Sequence, residues 1–129
     1  MRLLLRFLAW LDLPANHRVG ALAGRIVFAL SPRFRLRTLE NLRTAGFGGG
    51  PDLDSLARES AAETGKGAAE LAWALFRPVQ EVSGLMKELD GWETVERLRA
   101  EGRPIIFVTP HLGGFDIAGR YLWSRLPIL

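Results

Sequence analysis

Residues 104–109 (PIIFVT) form a short, unbroken apolar run rich in branched side chains. A run of that length is too short for a buried helix, and it has the composition of a strand buried on both faces of a parallel sheet. Gly113 and Gly114 follow, and residues 115–124 have helical spacing. Leu126 to Leu129 (LPIL) reads as the start of a second strand. Upstream, residues 91–100 place Trp92, Val95 and Leu98 on one helix side, and Glu101-Gly102 ends that helix. Strands alternating with helices are the sequence form of a parallel α/β sheet with right-handed crossovers. The expected fold is therefore α/β: N-terminal helices followed by the first βαβαβ units of a mainly parallel sheet. The pattern breaks off inside a strand, as expected for the front part of a longer domain or for one half of a split gene.

The first half of the chain reads as helices. Leu3, Leu4, Phe7, Leu8 and Leu11 share one helical face, flanked by Arg2, Arg6 and Trp10. Pro14 and Asn16 are expected to break this helix, and a second runs from about His17 to Leu30. Ser31-Pro32 has the form of an N-cap followed by a first-turn proline, starting a third helix to about Ala45. GFGGGP, residues 46–51, is a loop; Asp52 or Asp54 is expected to cap a long helix to Phe76, ahead of Pro78. Gly65 and Gly67 should each weaken that helix by about 1 kcal/mol relative to alanine. Residues 80–89 are ambiguous between helix and strand. Two segments result: a basic, membrane-associated helical segment, 1–45, and the front of the α/β domain, 46–129.

Charge separates the same regions. Residues 1–43 hold eight arginines against Asp12 and Glu40, whereas 44–101 hold eleven acidic and six basic residues. A basic, apolar amino-terminal region suggests an anionic partner: phospholipid headgroups, an acidic protein or nucleic acid. The arginines are interleaved with Leu and Phe and no nucleic-acid motif is present, so lipid is favoured. Neither apolar stretch reaches the roughly 20 residues a bilayer span needs. The chain has no cysteine, which excludes disulfide scaffolds, thiolate metal sites and cysteine nucleophiles.

One constellation has the makings of chemistry. His111 lies just past the carboxyl end of the expected strand, where open α/β sheets place their ligands. Gly113 and Gly114 permit a tight turn and expose backbone N–H groups, and Asp116 falls in the first turn of the next helix. A carboxylate so placed orients an imidazole and raises its basicity, leaving a substrate hydroxyl as the nucleophile. The alternative is a helix-capping histidine beside an acid that favours a helix N-terminus. Other residues have ordinary readings. His17 is expected to be a solvated loop or capping histidine, and Glu70 a paired or snorkelling charge. Trp10, Trp73, Trp92 and Trp123 read as core or interface aromatics. Arg103 and Arg120 either contact phosphate or lie on a solvated face, with Asp116 as the helical partner of Arg120.

The stretch PIIFVTPHLGGFDIAGRYL, residues 104–122, resembles the His-x4-acid block of the lysophospholipid acyltransferase superfamily. Within it the chain most resembles the lipid A biosynthesis (lauroyl/myristoyl) acyltransferases. The apolar start, the Arg-rich stretch ending in Glu40-Asn41-Leu42, and the segment with Glu70 and Trp73 extend the likeness. The resemblance implies a glycerolphosphate-acyltransferase-like fold. It implies transfer of a fatty acyl group from acyl carrier protein, or sometimes coenzyme A, to a hydroxyl of a membrane lipid. His111 would be the general base and Asp116 its orienting acid, with Gly113, Gly114 and Arg120 as substrate-binding positions. No metal and no redox cofactor is implied. The expected partners are a lipid acceptor, acyl carrier protein and the membrane surface, at the cytoplasmic face of the inner membrane. A non-catalytic, membrane-associated interaction module is the competing expectation.

Overall fold

The computed structural model describes residues 2–110 and 112–126, and within them every regular element is a helix. These are α1 (Arg2–Trp10), α2 (Leu13–Leu30), α3 (Pro32–Thr44), α4 (Pro51–Phe76), α5 (Val79–Ser83), α6 (Trp92–Ala100) and α7 (Phe115–Arg125). By packing, the chain divides into two units, Met1–Arg77 and Pro78–Leu129.

The expected parallel sheet is absent from the described residues. Residues 104–110 have no regular structure, and no backbone–backbone hydrogen bond in the described chain involves them. Ile106 is 88% exposed and Val108 91% exposed, so the run is not buried on either face. The physical reason is pairing. A strand is stabilised by neighbours that accept and donate its ladder bonds, and the other apolar segments described here are all committed to helices. Leu126 closes α7 in extended backbone, φ −126 and ψ 140, while residues 127–129 of the second expected strand lie outside the described residues.

The first unit is built on the crossing of α2 and α4. On α2 the buried residues Asn16, Gly20, Gly24 and Phe28 recur every four residues; on α4 the buried Ala57, Ala61, Ala69 and Trp73, with half-buried Gly65 in the same row, do likewise. Rows with this spacing form ridges that interlock between helices. Small residues let the two backbones approach closely. A Cβ on Gly20 would lie 2.5 Å from the Gly65 carbonyl oxygen, one on Gly24 2.0 Å from that of Ala61, and one on Gly65 2.1 Å from that of Gly20. Gly65 is therefore a contact residue. Gly67 meets nothing within 4 Å and keeps only its helix-weakening character.

Polar anchors fix the ends of this crossing. Asp12, not the segment after Asn16, starts α2: its side chain accepts from Ala15 N, and Pro14 occupies the first turn, where a missing N–H costs nothing. Asn16 is thus inside the helix and fully buried, and its Nδ2 donates to the carbonyls of Leu8 (2.9 Å) and Ala69 (3.1 Å). It ties α1, α2 and α4 together. Trp73 Nε1 donates to Leu11 O at 3.1 Å, and Arg77 Nη2 donates to the carbonyls of Trp10 and Leu11. Ser31 caps α3 as expected, its Oγ accepting from Phe34 N at 3.3 Å. The expected aspartate cap of α4 is not formed. Gly50 is the N-cap, with φ 93, and Asp52 and Asp54 lie in the first turn. There they still interact favourably with the helix dipole.

In the second unit α5 packs against α7, burying Val82, Ile117 and Tyr121. Trp92 meets Tyr121 edge-on, ring centroids 5.9 Å apart, and the Arg125 guanidinium lies 5.4 Å from the Tyr121 centroid. These contacts set the orientation of α7. No helix among the described residues is long and apolar enough to cross a membrane.

The two α4 glycines give opposite expectations. Gly65→Ala should lower unfolding stability by about 3 kcal/mol, because its Cβ meets fixed backbone. Gly67→Ala should raise stability by about 0.5–1 kcal/mol through helix propensity alone. Urea denaturation followed by circular dichroism measures both; equal effects would show that the crossing is not close-packed.

Candidate functional site

The acid expected to orient His111 is placed by α7. Gly113 adopts φ 57, in the left-handed region that glycine enters without the Cβ penalty. Gly114 is the N-cap and offers no side-chain bond to the first turn. Ala118 N donates to Gly114 O at 3.1 Å, so the helix proper starts at the second glycine. Asp116 is half-buried in the first turn, where the partial positive charge of the helix start stabilises a carboxylate. His111 lies outside the described residues.

The helical ion pair expected between Asp116 and Arg120 is not formed. Neither side chain has a hydrogen bond or ion pair in the described chain, and the Arg120 Nε is buried without a partner. Arg120 instead lines a pocket of about 280 Å³ with Val79, Trp123 and Ser124. The expected catalytic acid and the expected substrate-binding arginine therefore remain uncommitted to one another. Arg103 is exposed, its Nη1 3.6 Å from Glu101 Oε2, as on a solvated face. Of the tryptophans, Trp73 is core, Trp92 packs on Tyr121, and Trp10 and Trp123 are exposed.

The first unit contains polar arrangements that sequence reasoning missed. His17 is neither in a loop nor a cap. It lies on α2, half-buried, with Nε2 2.8 Å from Oε2 of Glu70 on α4. The sequence signal was the four-residue ladder: His17 and Glu70 each follow a buried ladder residue by one position, Asn16 and Ala69. Asp54 ties α4 to α3: Arg35 Nη2 on α3 donates to Oδ1 at 2.8 Å, and Arg58, one turn along α4, donates to Oδ2 through Nε (3.1 Å) and Nη2 (2.8 Å). These hydrogen bonds, that of Arg58 foremost and then that of Arg35, hold the Asp54 carboxyl below its ordinary value.

Apolar surface is concentrated in the same unit. Leu3, Phe7 and Trp10 of α1 are exposed. On α2, Val19, Leu22, Ile26, Val27 and Leu30 form an exposed face away from the buried Gly20–Gly24 row. An apolar groove of about 330 Å³ opens beside the crossing, bordered by Leu8, Ala23, Val27 and Ala68. Among the described residues no group of three or more His, Asp or Glu is arranged to hold a metal ion.

The sequence model described as bacterial lipid A biosynthesis acyltransferase matches residues 2–129, and the chain belongs to that family. It is an acyltransferase that acts on a lipid acceptor in lipid A biosynthesis. No curated protein and no solved structure matches it.

Because the folded carboxyl of Asp54 is held low, its bonds stabilise the fold fully above the ordinary carboxylate value and lose this effect as pH falls through the lowered one. The difference in Tm between wild type and Asp54→Asn should therefore narrow as pH drops below about 4. A gap that stays constant from neutral pH to pH 2 would contradict this assignment.

Proposed function

We propose that this acyltransferase moves a fatty acyl group from acyl carrier protein to a hydroxyl of a lipid A precursor at the cytoplasmic face of the inner membrane. The observation that carries the reading is the family match across residues 2–129, which includes His111 and Asp116 in the HLGGFD stretch. Asp116, uncommitted to Arg120 in the first turn of α7, supports its assignment as the orienting acid.

The chemistry needs no metal and no redox cofactor. The His111 imidazole takes the proton of the acceptor hydroxyl, and Asp116 stabilises the imidazolium that forms. The acceptor oxygen attacks the thioester carbonyl carbon, giving a tetrahedral oxyanion. Backbone N–H groups of the Gly113–Gly114 turn are the proposed donors to that oxyanion. The carbon–sulfur bond then breaks, and the leaving thiolate takes the proton from His111. Arg120 is the proposed contact to the anionic acceptor. The exposed apolar faces of α1 and α2 beside arginine-rich α3 support contact of the first unit with an anionic membrane surface.

His111→Ala should lower acyl transfer to a lipid A precursor by about 10²–10⁴-fold, with Asp116→Asn also strongly impaired. Radiolabelled acyl transfer from acyl carrier protein, compared with wild type, measures this. Wild-type rates in His111→Ala would overturn the proposal. Flotation with vesicles tests the membrane contact: Phe7→Glu combined with Ile26→Glu should abolish it, and undiminished flotation would exclude these faces.

A further inference from the structure

We propose that the junction of α2, α3 and α4 is a binding site for a phosphate ester, formed by Arg25, Arg35 and Arg58. The three arginines, one from each helix, line a single pocket of about 470 Å³ together with Phe28 and Ala29. Phe28 is buried and forms an apolar floor, with the Arg35 guanidinium 5.6 Å from its ring centroid. Among the described residues Asp54 is the one carboxylate bonded to this cluster, which leaves three guanidinium charges against one carboxylate.

The arrangement is fixed on one side and open on the other. Asp54 grips Arg35 and Arg58 at 2.8 Å each, which removes much of the rotamer freedom that a flexible arginine loses on binding. Cation–π contact with Phe28 holds Arg35 further. Arg25 has no hydrogen bond, ion pair or ring contact in the described chain. Its whole fork faces no internal partner, although it lies in a pocket already charged by two others. Planar guanidinium forks match phosphate oxygens in geometry as well as charge; Arg25 offers its whole fork, and Arg35 and Arg58 add positive charge and the N–H groups not spent on Asp54, a combination that favours a multiply charged tetrahedral anion over a lone carboxylate. The volume leaves room for the phosphate and part of the group esterified to it. Arg25 stands in sequence between Leu22 and Ile26 of the exposed apolar face, so the ester can be a membrane headgroup as readily as a small soluble phosphate.

This site is built from residues of the first unit alone, and its test reads binding only. The chain is titrated with glycerol 3-phosphate, and in parallel with phosphatidylcholine vesicles containing or lacking phosphatidic acid. Arg25→Ala is compared with Arg18→Ala, which removes the same charge from the same helix outside the pocket; neither side chain has an internal partner, so both variants keep the fold, as circular dichroism checks. The expected result is phosphate-dependent binding weakened about tenfold by Arg25→Ala and less than about twofold by Arg18→Ala. Arg25→Lys, which keeps the charge and loses the fork, should fall between wild type and Arg25→Ala. Binding in the soluble arm identifies a small phosphate ester; binding confined to phosphatidic acid vesicles identifies a headgroup. Equal losses in Arg25→Ala and Arg18→Ala, or no preference for either phosphate probe over phosphatidylcholine alone, overturns the proposal.

Discussion

The contact of backbone with backbone at Gly20, Gly24 and Gly65 is the constraint on which the first unit rests. Where a Cβ would come within 2.0–2.5 Å of a facing carbonyl oxygen, only glycine allows the helices to meet at all. That approach brings Ala57, Ala61 and Ala69 into contact range and buries Phe28 and Trp73. It also sets the distances at which longer side chains bridge the helices: Asn16 reaches two carbonyls on different helices, His17 reaches Glu70, and Arg35 reaches Asp54. The same lack of side chains opens the apolar groove beside the crossing. Stability and surface character in this unit therefore have one origin.

Much of the helical half was legible in the sequence, because its signals are local. Ser31-Pro32 caps α3, the glycine run separates α3 from α4, and α4 ends at Phe76 ahead of Pro78. What failed was reading single residues without their partners. Pro14 looks like a breaker until Asp12 is seen to cap the helix before it. Gly65 looks like a defect until Gly20 and Gly24 are placed against it, although their four-residue spacing was visible. The parallel sheet failed for a related reason. An apolar run such as PIIFVT shows that a segment resembles a strand, but a ladder also needs a neighbour, which the described chain does not provide.

The candidate site was legible in a different sense. The order of His111, two glycines and Asp116 pointed to the family, and the family match bears out that recognition over nearly the whole chain. Of the local geometry expected there, the described residues show Gly113 in a left-handed turn and Asp116 in the first turn of α7. The arginine cluster of α2, α3 and α4 was legible only as an excess of positive charge. Its convergence on one pocket depends on helix packing that no local pattern encodes.

The stability of the first unit lies in the α2–α4 crossing, and residues 104–110 have no ladder bonds among the described residues. Native-state amide hydrogen exchange tests both statements in one measurement. The slowest amides should lie in residues 16–28 and 57–73, while residues 105–109 should exchange close to the unprotected rate. Protection at residues 105–109 equal to that of the crossing would contradict the account, since it would require a ladder of hydrogen bonds at the apolar run.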